Sequence, residues 1–102
     1  MYQFTTPTIV ITIPDTLPVN TMTSLVVTLE QDKIKLEKQL ADVQLDTVNN
    51  TITLVLTQEE TGAFAYGRSV EVQCHILVGN VAFATNIMRA NIYENIHGQV
   101  IV

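Results

Sequence analysis

Few side chains in this sequence are of types that do chemistry, and none stands in a pattern that chemistry needs. The one cysteine, Cys74, falls in register with Val70, Val72, Ile76 and Val78. A thiol becomes a nucleophile when a nearby cation or helix N-terminus lowers its pKa, and nothing of that kind adjoins Cys74 in sequence, so it reads as a small core hydrophobe. His75 and His97 are separated by a turn and a whole strand and lack a local carboxylate pattern, so no metal site is expected of them. Glu59 and Glu60 form an adjacent carboxylate pair, but Thr57-Gln58-Glu59-Glu60 has the form of a capping box. There the Thr57 hydroxyl accepts from the Glu60 amide while the Glu60 side chain accepts from the Thr57 amide. With no phosphate loop and no Cys/His metal spacing, the expectation is a non-enzymatic chain with no catalytic residue, cofactor or metal.

Composition points the same way. A chain of 102 residues, 47% apolar and 15% charged, fits one domain spanning residues 1–102 with a modest core. The net charge of −5 argues against nucleic acid, whose phosphates demand clustered Lys and Arg. Lys33, Lys35 and Lys38 are close together, but Glu30, Asp32 and Glu37 are interleaved with them, and the stretch reads as a solvated strand face. A single cysteine fits folding in a reducing compartment. No basic leader or apolar span is evident, so synthesis in the cytosol without membrane insertion is expected.

The elements that position these residues follow a period of two. Ile9, Ile11 and Ile13 alternate up to Pro14, which cannot donate to a ladder, and a loop rich in turn formers follows to Thr23. Leu25, Val27 and Leu29 begin a half-buried strand, and Gln31-Asp32 turns it into residues 33–39. Residues 30–41 also have good helix propensity, but the Ile34/Leu36 spacing fits two better than 3.6. Val43 and Leu45 make a short strand ending at Val48-Asn49-Asn50, and Ile52, Leu54 and Leu56 make the return. After the capping box, Gly62 and Gly67 limit the helix to a single turn that sets Phe64 over one end of the core. Val70 to Val78 then leads through Gly79-Asn80 into one long return strand, with Val81, Phe83, Thr85 and Ile87 on one face. Ala82, Ala84 and Ala90 mark a face approached closely either by a second sheet or by another subunit.

About seven short strands at roughly 8- to 12-residue spacing predict an all-β fold, an immunoglobulin-like antiparallel β-sandwich with one short helical turn near residues 58–64. A partly open barrel is the alternative. Tyr66 precedes the sixth strand without the spacing of a tyrosine corner.

The stretch Val48 to Thr61, with Val70-Glu71-Val72-Gln73, Gly79 and Thr85, resembles small structural proteins of the tail modules of phages and prophages of Firmicutes and related gut bacteria. It is also loosely similar to the N-terminal β-sandwich domain of the baseplate upper protein of Gram-positive phages. The resemblance implies a virion component that works by assembly with other phage structural proteins or as a homo-oligomer. It supplies no binding residues. From the residues themselves, the apolar, strand-like stretch Gln99-Val100-Ile101-Val102 is expected to pair with an edge strand or to add to a partner, which makes Val100, Ile101 and Val102 the candidate contact, with Thr8 to Ile13 the alternative contact strand. The alternative function is an adhesin-like or carbohydrate-binding module, for which Tyr66 and Tyr93 are the available aromatic surfaces.

Overall fold

A computed structural model describes residues Met1–Val102. The strands are β1 (Thr8–Thr12), β2 (Ser24–Gln31), β3 (Ile34–Gln39), β4 (Gln44–Asp46), β5 (Thr51–Val55), β6 (Ser69–Val78), β7 (Val81–Ala84) and β8 (Met88–Asn91), with helix α1 at Gln58–Gly62. They form two antiparallel sheets, β1-β5-β4 and β3-β2-β6-β7, with β8 also paired to β6. This is an all-β sandwich. Its order matches the B-E-D and C′-C-F-G sheets of an immunoglobulin-like domain in which no strand A lies beside β1. Residues 30–39 are strand and turn, as the spacing of two requires, and a single 3-10 turn follows at Leu40–Asp42.

Alternation decides the core. Ile11 and Ile13, then Ile52, Leu54 and Leu56, face inward from one sheet and meet Leu25, Val27, Leu29, Val70, Val72, Cys74 and Ile76 from the other. The register enforces this, because Val27 lies opposite Cys74, and Leu29 opposite Val72, with partners on one face of the sheet. Burial of Cys74 pushes its thiol up to about 11, so it is neutral and packs as an apolar side chain.

One end of the sandwich is closed by α1 and the chain after it. The capping box is formed: Glu60 N–H donates to Thr57 Oγ1 at 3.2 Å, and Thr57 N–H to Glu60 Oε1 at 2.8 Å. Phe64 is fully buried. Gln31, inward on β2, exchanges two hydrogen bonds with the backbone of Ala65 at 2.9 and 2.7 Å. Thr61 is buried and its hydroxyl joins the backbone of Thr5, which ties the start of the chain to this end. Gly62 has no Cβ because the ring of Phe4 lies where one would be.

Four expectations are corrected. Lys38 is not part of a solvated face: it lies opposite Val27, hence inward, is only 16% exposed, and pairs with Glu60 at 2.8 Å. The long return strand is two strands, which makes eight in all. Ile76 faces Phe83 while Val72 faces Met88, so the return strand carries one residue more than β6 over the same stretch. The bulge forms because the Thr85 hydroxyl takes the Cys74 N–H at 3.0 Å and Gln73 Nε2 binds the Thr85 carbonyl at 2.9 Å. It turns Ile87 outward, beside Thr28, Glu71 and Gln73, and Met88 inward. Ala82 and Ala84 are exposed rather than covered by the second sheet. Finally, residues 99–102 form no strand.

The Lys38–Glu60 pair gives acid sensitivity. Burial raises the Glu60 carboxyl, but the hydrogen bond and charge of Lys38 and the Thr57 amide outweigh burial and hold it below its ordinary 4.5. A carboxyl lowered by folding adds stability that is full above the unfolded value and is lost as pH falls through the folded one. In urea titrations Glu60→Gln should therefore cost about 1–2 kcal/mol near neutral pH, with the gap to the parent narrowing as pH falls below about 4. An unchanged gap across that range would contradict this.

Candidate functional site

The residues that would be catalytic in an enzyme do not converge. His75 and His97 are both exposed, Cys74 is buried, Glu59 is exposed beside the cap, and no three His, Cys, Asp or Glu side chains group to hold a metal ion. The features that stand out are two surfaces, one apolar and one aromatic.

The apolar surface follows from two open sheet edges, those of β1 and β7. Hydrogen bonds from Ile13 N–H to Asn50 O (3.0 Å) and from Leu56 N–H to Pro7 O (3.1 Å) show that the odd residues of β1 point their backbone groups at β5. In an antiparallel pair the alternate residues then point theirs away, so Thr8, Val10 and Thr12 present N–H and C=O groups to an open edge. On the other sheet, Thr85 N–H reaches Cys74 O at 2.9 Å, which by the same alternation leaves Ala82 and Ala84 with their backbone groups turned outward.

Between these two edges lies a groove of about 650 Å³, with Ile11, Ile13 and Leu17 on one wall and Ile76, Phe83 and Met88 on the other. No charged residue lines it. Phe83 is 43% exposed and Met88 37%, although their register partners Ile76 and Val72 are core residues.

The other sheet edges are protected. β3 carries Lys35, Glu37 and an inward Lys38, and β4 is three residues long with Asp46 at its end. Asn49 and Val48 amides and the Asn49 side chain bind that carboxylate and hold it below its ordinary range. Inward charges and short length are the usual means of blocking strand addition. β1 (TIVIT) and β7 (VAFA) have no charged residue.

Asn50 holds the upper wall. It adopts a φ of 54°, which asparagine tolerates, and is nearly buried. Its Oδ1 accepts from Val19 N–H at 2.8 Å, and its Nδ2 donates to the carbonyls of Ile13, Pro14 and Leu17 at 2.9, 3.1 and 3.3 Å. Sequence reading placed Asn50 in a turn but gave no sign of this network, which depends on residues more than thirty positions away.

Val100, Ile101 and Val102 lie at the other end of the molecule. Gln58 holds Ile101 through its backbone, donating to Ile101 O at 3.1 Å and accepting from Ile101 N–H at 2.8 Å, as a neighbouring strand would. Ile101 and Val102 side chains are exposed and Val100 is half-buried.

The aromatic surface is a cleft of about 430 Å³ that Tyr66 and Tyr93 line with Arg68, Asn91 and Glu94. Tyr2 packs on Tyr93 with ring centroids 5.4 Å apart, so all three tyrosines of the chain meet in one region. The exposed Tyr66 makes no tyrosine corner. Arg68 is held by an ion pair to Asp32. No helix is long and apolar enough to cross a membrane.

Compared with protein-family models the chain matches none, and comparison with curated protein sequences likewise finds no match.

Replacing Asn50 by Ala removes these four hydrogen bonds and strands the Val19 amide in the interior. The expected loss is about 3 kcal/mol in urea unfolding, and Asn50→Asp should lose at least as much, because it keeps the Val19 acceptor but sets a carboxylate oxygen against the Ile13, Pro14 and Leu17 carbonyls. A loss below about 1 kcal/mol for the alanine variant would contradict this role.

Proposed function

We propose that the protein is a non-enzymatic assembly module that works by adding a strand at the open edges of β1 and β7. One observation carries the reading: of the sheet edges, the two that flank the groove are the ones without protecting charge. An extended apolar segment laid there gains main-chain hydrogen bonds from the edge and burial from the groove. The resemblance of Val48 to Thr61 and the following strand to phage tail proteins supports placing the module in a phage or prophage tail, as a baseplate or fibre-associated virion part. Its partners are then other tail proteins or further copies of itself. The acidic surface, with a net charge of −5, favours solubility before assembly.

Tail particles purified from the phage or induced prophage that encodes the chain should contain it at a fixed number of copies per particle by quantitative mass spectrometry. Its absence from intact particles would contradict the reading. A second reading, carbohydrate binding, is favoured by the meeting of Tyr66 and Tyr93 in one cleft with polar neighbours, since sugars stack on aromatic faces. That reading expects a glycan-array signal lost in both Tyr66→Ala and Tyr93→Ala, and a blank array from the unaltered protein contradicts it.

A further inference from the structure

We infer that the occupant of the groove is the segment Gln99–Val102 of a second copy, so that the molecules join head to tail. The inference rests on the assembly reading and names the partner.

The first argument is chemical match. The groove is apolar, uncharged and open along β1, and it requires an uncharged, extended segment with apolar side chains. Residues 95–102 (Asn, Ile, His, Gly, Gln, Val, Ile, Val) contain no acidic residue, lysine or arginine in a chain that is otherwise acidic. Ile96, Ile101 and Val102 are among the most exposed apolar side chains of the molecule. Residues 99–102 lie outside the sheets, and the hydrogen bonds found for them are the two from Gln58. Both bonds come from the Gln58 side-chain amide, so the Ile101 N–H and C=O can exchange that amide for the backbone groups of an edge strand.

The second argument is length. A four-residue strand spans about 13 Å, enough to run along most of the five-residue β1. Side chains alternate, so Val100 and Val102 enter the cleft over Phe83 and Met88 while Ile101 faces out.

The third is placement. Gln58 follows the end of β5 that lies beside Thr8, whereas Pro14 and Leu17 continue from the opposite end of β1, which pairs with Thr51. Donor segment and groove therefore lie at opposite ends of the strands, in a molecule 44 Å in its longest dimension. A contact between two different surfaces is heterologous, and repetition gives a closed ring or a filament rather than a two-fold dimer.

Two variants test this, one in each half of the contact. Phe83→Lys places a charge in the groove at a half-exposed position, and the double change Val100→Asp with Val102→Asp charges the donor segment. Circular dichroism and melting temperature confirm that each folds, and Met88→Lys replaces Phe83→Lys if that variant does not. In light scattering over a concentration series, the unaltered protein should exceed the mass of one chain, and each variant alone should associate at least tenfold more weakly. Mixing the two should restore a complex of two chains, because each supplies the half the other lacks. If the unaltered protein associates and neither variant weakens it, the head-to-tail contact is wrong while the assembly reading stands. If association is weakened but mixing restores nothing, the contact is not heterologous and the inference also falls. A strict monomer at every concentration overturns it as well, and the assembly reading then rests on a different protein as partner.

Discussion

The architecture depends on the need to close a core that two sheets leave open around its margin. The inward rows of β1 and β5 and of β2 and β6 supply twelve of the sixteen residues of the buried core, and every gap between the sheets must be covered by something apolar or by a satisfied polar group. At one end Phe64 and the Gln31–Ala65 pairing do this. At the other, Asn50 gathers the chain from Ile13 to Val19 over the strand ends. Beside β3 and β4, the crossing through Leu40 and Val43 packs on the core, and Lys38 and Glu60 seal what remains. On the remaining side, between β1 and β7, an immunoglobulin-like sandwich has a strand A, and here the margin is open.

The distribution of charge makes that opening meaningful. Edge strands template further pairing, and two edges of this molecule are guarded by charge or by short length. The unguarded pair borders a margin where the apolar side chains of Phe83 and Met88 remain half in solvent. The Met1–Gln3 segment pairs with Tyr93 in parallel, close to the end of β8, and stops short of the groove. Local propensity, edge chemistry and incomplete closure thus agree on one surface.

Most of the fold was legible in sequence because it rests on local patterns. The alternation of Ile52, Leu54 and Leu56 and of Val70 to Val78 fixed the core faces, and the Thr57 to Glu60 tetrad marked the helical turn. What escaped depends on distant partners. The bulge at Thr85 needs the backbone of Cys74 to appear, and it reverses the faces of Ile87 and Met88. Lys38 is apolar in register and charged in type, and only Glu60 across the sandwich reconciles the two. Thr8 to Ile13 stood out as a candidate contact strand, but the groove beside it did not, because it is defined by an absent neighbour: nothing in Thr-Ile-Val-Ile-Thr says whether its second edge is paired. Val100 to Val102 stood out as an apolar stretch, but its position opposite the groove is a property of the folded chain alone.

The most direct test of strand addition is residue-resolved amide hydrogen exchange on the protein in dissociated and assembled form. The account predicts that the outward amides of β1, at Thr8, Val10 and Thr12, become slow to exchange on assembly, while Ile9 and Ile11, already paired to β5, change little. Protection gained along β3 or β4 instead, with Thr8, Val10 and Thr12 still exchanging freely, would contradict it.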